Sequence, residues 1–408
     1  MKIVIIGGGA AGFFAAITAA QTHPQAEILL IEKSRALLSK VRISGGGRCN
    51  VTHACFDPAQ LVQNYPRGSK ELRGPFARFQ PRNTIEWFEK RGVPLKTEKD
   101  GRMFPTTDSS QTIIDCLIRQ AKNAGVTIAV ETCITAIQKN ATHFVLQIAD
   151  KPAIECDRVL LATGGNRTPF SWLQELGHTI QPLVPSLFTF NIANFALKEL
   201  AGISVKKATV KIAKTTLEQT GPLLITHWGF SGPAVLKLSS FGARLLHDMA
   251  YKAECCINWI PDVTTDEART VLEQLRSSQP RKALSTLALF DLPSNLWKAL
   301  IAKEGIDGSE RLADISNKKI LSFIERLRRD SFQIDGQTTH KEEFVTCGGV
   351  SLDEVQFKTM ESKIVPGLFF AGEILDIDGV TGGFNFQNAW TTGWIAGHAI
   401  NDTNDKRP

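Results

Sequence analysis

The chain has 408 residues, 43 % hydrophobic and 22 % charged, with a formal net charge of +6. That length carries one large domain with insertions, or two to three domains, and its composition excludes a disordered or fibrous protein. No run approaches the ~20 uninterrupted apolar residues of a membrane helix, and eight cysteines without a C-x-x-C pair give no support to a dithiol centre or a thiolate zinc site.

The first element is the β-branched run Ile3-Val4-Ile5-Ile6, which reads as a buried parallel strand. Three glycines split this apolar start before a signal-peptide core can form, so a cytoplasmic protein is expected. Gly7-Gly8-Gly9-Ala10-Ala11-Gly12 follows, then a helix predicted over Phe13 to Gln21, ending before Pro24. Gly7 permits the tight turn, Gly9 lets backbone approach a pyrophosphate, and Gly12 lets the helix pack close on the strand. The helix N-terminus then faces the diphosphate with free N–H groups and partial positive charge. A second strand, Ile28 to Ile31, delivers Glu32, whose carboxylate can accept from a ribose hydroxyl. This unit is expected to bind an adenine dinucleotide.

Residues 33 to 102 hold fifteen Lys/Arg against six Asp/Glu, a local +9 that leaves −3 for the remainder. Such an excess suggests attraction of phosphates or another anionic ligand. Lys33 to about Pro81 is expected to be loop-rich, and loops of that length are usually functional. Helices are predicted over 83–91 and 110–124, the second capped by Ser109 or Ser110 and ended by Gly125. Alternating runs near 126–130, 133–138, 143–149 and 153–156 suggest a small antiparallel excursion, and Arg158 to Gly165 a further buried strand ending in a glycine turn.

Short alternating runs from 186 to 260 predict a β-rich domain, in which the neighbours Cys255 and Cys256 point to opposite faces. From Thr264 to about Arg329 the apolar spacing becomes helical, with charges nearly balanced. A strand at Gly367 to Gly372, a glycine loop and a final helix through Trp394 to Ile400 return to the opening style. The expected organisation is a dinucleotide-binding domain of residues 1–185 and 340–408, a β-rich domain of 186–260 and 330–339, and a helical domain of 261–329.

Two further clusters carry chemistry. Lys40 to Thr52 contains Ser44-Gly45-Gly46-Gly47-Arg48-Cys49-Asn50, where successive glycines fit close backbone approach to a flat or phosphorylated ligand. Lys40, Arg42 and Arg48 ring it with positive charge, while Ser44 and Asn50 offer neutral hydrogen-bonding groups. The second cluster is Gly372-Glu373 through Asp376 and Asp378 to Gly382-Gly383-Phe384-Asn385-Phe386-Gln387. Its carboxylates can accept from the hydroxyls of a ribityl chain, and the helix start at Gly382–Asn385 can stabilise negative charge on a flavin's pyrimidine ring.

Taken with Arg102-Met103-Phe104-Pro105, Thr163-Gly164-Gly165, Thr226 to Pro233 and Thr346 to Val350, these motifs resemble the bacterial FAD-dependent flavoproteins of the YhiN type, labelled NAD(P)/FAD-dependent, aminoacetone-oxidase-like or BaiN-like oxidoreductases. The resemblance covers nearly the whole chain. It implies an α/β fold with a Rossmann-like FAD domain of the glutathione-reductase type, interrupted by a β-rich domain and a small helical one. It also implies FAD against Gly7 to Gly12, Glu32-Lys33, Lys40, the Ser44–Asn50 loop, the backbone near Cys133, Thr163-Gly164, and Gly372 to Asn385. Asn388 departs from the larger apolar residue expected before Ala389, which bears on helix packing or the pocket wall. The second GxGxxG of two-nucleotide reductases is absent, so a dedicated nicotinamide domain is not expected, while transient NAD(P)H docking stays open.

For proton chemistry the candidate is His227, since a histidine titrates near neutral pH; Arg48 is the candidate to stabilise anionic flavin or substrate. Arg102 can orient an anionic substrate or pair with Asp100 or Asp108. The first functional expectation is an FAD-dependent oxidoreductase that passes hydride between flavin and a small or medium organic substrate, in a cleft expected between the inserted domains, with NAD(P)H as a candidate donor. The alternative is a flavin-containing RNA-binding or RNA-modifying protein using the basic 33–102 segment. It is disfavoured because no aromatic stacking platform or RNA-binding motif is evident. No metal and no membrane partner are expected, and the oligomeric state is not legible.

Overall fold

The computed structural model describes residues 1–338 and 345–401. Residues Met1–Pro185 with Lys341–Pro408 form one compact unit and Ser186–His340 another. The expected boundary at residues 339 and 340 lies outside the described residues.

The first unit is built on a seven-stranded sheet. Its opening is β1 (Lys2–Ile6), α1 (Ala10–Thr22) and β2 (Glu27–Ile31). Ile3, Val4 and Ile5 have no solvent exposure, as expected of a strand covered on both faces. The helix begins three residues earlier than predicted, because Gly9 serves as its N-cap. After it the chain forms α2 (Ser39–Gly47), β3 (Thr52–His53), α3 (Pro58–Leu61), α4 (Arg73–Arg78), α5 (Pro81–Glu89), β4 (Leu95–Thr97), β5 (Arg102–Pro105) and α6 (Ser110–Asn123). The Lys33–Pro81 segment is therefore not loop-rich throughout. Its helices are short, and α2 is broken by left-handed Gly45 and Gly46, so none shows a full amphipathic period.

β6 (Thr127–Ala129) pairs parallel with β2 and forms the sheet edge, so the 126–130 run does not join the antiparallel excursion. That excursion is β7 (Ile134–Lys139), β8 (Phe144–Ile148) and β9 (Lys151–Cys156). The buried strand β10 (Arg158–Leu161) pairs parallel with β1, and α7 (Thr168–Glu175) and β11 (Ile180–Ser186) complete this half.

The second unit contains a closed six-stranded barrel: β12 (Thr189–Ile192), β13 (Ser204–Ile212), β14 (Glu218–Ile225), β15 (Gly229–Ser231), β16 (Lys252–Asn258) and β17 (Asp330–Thr338). β17 closes it by pairing with both β12 and β16. Two helices not anticipated from the alternating pattern, α8 (Pro233–Phe241) and α9 (Ala243–Asp248), interrupt the strands. Cys255 is buried and Cys256 is not, as alternation along a strand requires. The helices α10 (Thr265–Ser278), α11 (Ser294–Lys303) and α12 (Asn317–Arg328) share one buried apolar cluster with the barrel, joining Phe230 and Phe332 to Trp297 and Phe323.

The chain then returns to the first unit with β18 (Val345–Val350), β19 (Val355–Gln356), β20 (Glu361–Ser362), β21 (Leu368–Phe370) and α13 (Phe384–Ala399). The strand order is β19-β20-β21-β10-β1-β2-β6, so the C-terminal strand β21 lies beside β10 in the same sheet as β1. α13 packs on α1 at very short range. A Cβ on Gly393 would lie 2.7 Å from the Ala11 carbonyl, and one on Gly397 2.6 Å from the Ala15 carbonyl. Two helices this close tolerate only glycine at the crossing.

Candidate cofactor site

The glycine turn between β1 and α1 separates two demands. A Cβ on Gly7 would lie 2.4 Å from the Ala162 carbonyl, with φ +116°, and one on Gly12 would lie 1.9 Å from the Gly7 carbonyl. Both glycines are required by the protein's own packing. A Cβ on Gly9 would meet nothing within 4 Å, which leaves room beside the first turn of α1 formed by Ala10 and Ala11. The Glu32 carboxylate is fixed at this turn. It accepts the Gly8 N–H at 2.8 Å, the Ser34 N–H at 2.9 Å and the Ser34 hydroxyl at 2.9 Å. Lys33 is exposed.

On the other side of β1, Thr163 and Gly164 follow β10. The Thr163 hydroxyl oxygen is buried and lacks a hydrogen-bond partner. A buried hydroxyl in that state costs roughly 1–3 kcal/mol unless a ligand satisfies it. A Cβ on Gly164 would lie 3.5 Å from Oε2 of Glu373, and Glu373 accepts from Lys40 at 2.5 Å and from the Thr346 N–H at 2.9 Å. Lys40 on α2 is thereby tied to the Gly372–Glu373 turn. The opening and closing segments meet again where a Cβ on Gly372 would lie 2.9 Å from the Ala11 side chain.

In the Ser44–Asn50 loop, Ser44 donates to the Val41 carbonyl at 3.0 Å and its own carbonyl takes the Cys49 N–H. Gly46 and Gly47 border open space, since a Cβ on either would meet nothing. Cys49 is buried, and burial pushes its thiol up to about 12, so it is a packing residue without nucleophilic character. Oriented to satisfy its neighbours, the Asn50 amide donates to the Thr52 carbonyl and accepts the Gly383 N–H, each at 3.0 Å. Asn50 thus caps α13. Asn385 secures the preceding turn, accepting from the Gly379 N–H at 2.8 Å and donating to the Gly379 carbonyl at 2.9 Å. Gly382 and Gly383 both have positive φ.

The Arg48 guanidinium is committed within the protein. It donates to Glu98 at 2.6 Å, lies 3.6 Å from Asp108, and stacks 4.0 Å from the centre of the Phe104 ring. Arg102 pairs with Asp100 at 2.8 Å and Glu98 at 3.1 Å. Cys133 is exposed, and its carbonyl accepts the Ala149 N–H. His227 belongs to the second unit, on an exposed turn between β14 and β15. Asn388 is buried on α13 with its amide oxygen unpartnered. Among the described residues, no group of three His, Cys, Asp or Glu side chains is placed to hold a metal, and all eight cysteines are free.

Sequence reasoning missed three residues at α13. The Tyr65 hydroxyl donates to the Phe384 carbonyl at 2.6 Å, Arg67 pairs with the fully buried Asp378, and the His53 ring stacks on Phe384 at 4.7 Å. His53 directly follows the Ser44–Thr52 motif, the one local signal that pointed to it.

A Rossmann-type sheet, a turn with room at the start of α1, an orphaned hydroxyl beside it and a capped second helix define a dinucleotide-binding flavoprotein that holds FAD. Residues 1–399 match the HI0933-like protein Rossmann domain, and the chain belongs to this family of FAD-dependent oxidoreductases. It is 30 % identical to the ribosomal RNA dihydrouridine synthase of Escherichia coli (strain K12), over 96 % of each chain. It is 26 % identical to the 3-dehydro-bile acid delta(4,6)-reductase of Clostridium scindens, over 98 % of each. In fold it is similar to a 3-ketosteroid-delta4-(5alpha)-dehydrogenase from Rhodococcus jostii RHA1, with TM-score 0.52 and 13 % identity, covering 98 % of this chain and 96 % of that one.

Proposed function

We propose that this protein is an FAD-dependent reductase that saturates a carbon–carbon double bond conjugated with a carbonyl group. One observation carries the reading: two of the full-length relatives are named for very different molecules, yet both names describe this chemistry. Dihydrouridine is uridine whose ring double bond, conjugated with a carbonyl, has been reduced. A delta(4,6)-reductase of a 3-dehydro bile acid acts on double bonds conjugated with the 3-ketone.

In this reading the diphosphate of FAD lies at the amino end of α1, against Gly9, Ala10 and Ala11. Thr163 donates its free hydroxyl to the cofactor, and Glu32, Lys33 and the Cys133 backbone line the adenosine side. The Gly46–Gly47 space, Lys40, Glu373 and the amino end of α13 hold the flavin side. Bound FAD supplies hydride transfer. The chain's own groups orient and polarise: Asn50, Tyr65 and the Arg67–Asp378 pair fix α13, whose first-turn N–H groups favour negative charge where they point. Arg48, paired with Glu98 and stacked on Phe104, shapes the loop, and Arg102 is held likewise by its two carboxylates. The donor is a nicotinamide nucleotide that docks transiently. His227, on its exposed turn in the second unit, stays a candidate for proton chemistry. The free cysteines support a cytoplasmic setting.

A second reading, in which the reduced ring is a uracil within RNA, is favoured by the Escherichia coli relative and by the basic segment. Six of its cations pair with carboxylates of the protein itself, among them Lys40, Arg67 and Lys96. Lys33, Arg35, Lys70, Arg73, Arg82 and Lys99 remain exposed for phosphates. The expectation against nucleic acid is therefore left open. Protein reduced anaerobically with NADH or NADPH, then offered a cyclic enone or a uridine-containing ribosomal RNA fragment, tests both readings. Product two hydrogens heavier from either acceptor supports the reaction class and selects the substrate. No reduction of either overturns it.

A further inference from the structure

His53 lies between the β3–β5 strands and the amino end of α13. β3 pairs with β5 so that His53 stands opposite Arg102. Its Nδ1 is 3.1 Å from the Gly382 carbonyl. A carbonyl only accepts, so the neutral ring carries its proton on Nδ1 and leaves the Nε2 lone pair unprotonated. Phe384 covers one ring face, with 28° between the planes. Gly101, at φ +87°, clears the other end: a Cβ there would lie 2.5 Å from Nε2.

The charged groups facing the ring come from the β5 side. Asp100 favours the protonated imidazole and Arg102 opposes it, and these two are paired with each other. From the α13 side the ring meets the Gly382 carbonyl and the Phe384 ring, neither of which titrates. Burial is the largest influence and holds His53 below the usual histidine range, so it is neutral at neutral pH. It is half-buried, so protons still reach it from solvent.

We propose that His53 is the proton-holding group of the flavin site, taking up one solvent proton at Nε2 when the cofactor is reduced and releasing it when the cofactor is reoxidised. The proposal rests on the reading that the flavin ring lies at the amino end of α13. The step balances. A C–H bond of the nicotinamide donor breaks, the donor leaves with one more positive charge, and the hydride adds one negative charge to the FAD. The Nε2–H bond forms with a proton from water and compensates that charge. When hydride leaves to one alkene carbon, the other alkene carbon needs a proton, and His53 gives one up, to it or to solvent. The driving force is local: a negative charge within about 4–6 Å favours the cationic imidazole by a factor of ~10 to 1000.

The test is the pH dependence of the midpoint potential of bound FAD in the intact protein and in His53→Gln, whose amide can still donate to the Gly382 carbonyl. The wild type is expected to change by two protons per two electrons across neutral pH, and His53→Gln by one. Equal slopes in the two proteins overturn the proposal while leaving the FAD reading standing. A wild type with no reducible flavin overturns both. Should His53→Gln fail to hold FAD, the reduced wild type decides alone. An absorbance that keeps the form of the anionic reduced flavin through the pH at which the slope breaks supports His53, and a change to the neutral form overturns it.

Discussion

Arg67 closes a two-point ion pair on Asp378, a carboxylate with no solvent exposure. Nε donates to Oδ1 at 2.5 Å, and a second, parallel bond joins the other nitrogen and oxygen. The same two residues form an isolated backbone bridge. Because Asp378 precedes the Gly382–Gly383 turn, this pair sets where α13 begins. Removing one member of a buried pair strands the other charge, at a cost of about 3–5 kcal/mol. Arg67→Ala is therefore expected to lower the denaturation free energy by that amount and to reduce FAD content. Arg67→Lys should recover only part, since an ammonium cannot make the two parallel bonds. A change below about 0.5 kcal/mol in chemical denaturation, the level of an ordinary surface substitution, would remove this role.

Thr163 offers effects of opposite sign. Its orphaned hydroxyl is a burden in the cofactor-free protein. Thr163→Val should leave apo stability unchanged or raise it by roughly 1 kcal/mol, while weakening FAD binding by about tenfold. Thermal melting with and without added FAD reads both effects. Equal FAD affinity in the two proteins would mean the hydroxyl does not meet the cofactor.

Glu354 predicts acid sensitivity. Burial alone pushes its carboxyl up, but hydrogen bonds from Thr179 and from His178 at 2.8 Å outweigh this and hold it below the usual carboxylate range. His178 in turn meets the Ser362 hydroxyl at 3.0 Å, which ties the start of β11 to the β19–β20 hairpin. A carboxyl depressed in the folded state stabilises it above the unfolded value of about 4.3. That contribution is lost as pH falls through the lower folded-state value. Glu354→Gln should cost about 1–2 kcal/mol at neutral pH, with the gap to the wild type closing in acid. A gap that stays constant from neutral pH into acid would rule out the linkage.

The parts of this molecule legible from sequence are those whose signal is local. Ile3 to Ile6, the Gly7–Gly12 spacing and Glu32 lie within one βαβ unit, and each glycine's function follows from its own neighbours. β6 is a three-residue strand whose sequence carries no mark of direction; only pairing with β2 makes it a parallel edge. Barrel closure depends on β17 meeting β12, some 140 residues earlier in the chain, which no local pattern encodes. The helices between residues 39 and 78 are too short to show a period. At the site, the glycines were visible as motifs, and Asn50 as a hydrogen-bonding group but not as the partner of α13. Tyr65, Arg67 and His53 act on α13 across more than 300 residues of chain as single side chains, so no spacing marked them, and only the place of His53 beside the Ser44–Thr52 motif was a local signal. Arg48 was legible as a cation but not as a paired one, because Glu98 reaches it from the β4–β5 turn and Asp108 from the segment between β5 and α6.

The most direct measurement is the FAD released on denaturing the purified wild type, Gly9→Ala and Gly12→Ala proteins, alongside their melting curves. A Cβ on Gly9 meets no protein atom, whereas one on Gly12 would lie 1.9 Å from a carbonyl oxygen. The account predicts one FAD for each wild-type chain, a Gly9→Ala protein that melts like the wild type yet has lost its FAD, and a Gly12→Ala protein that is itself destabilised. A wild type without FAD, or a Gly9→Ala protein with its full complement, would contradict it.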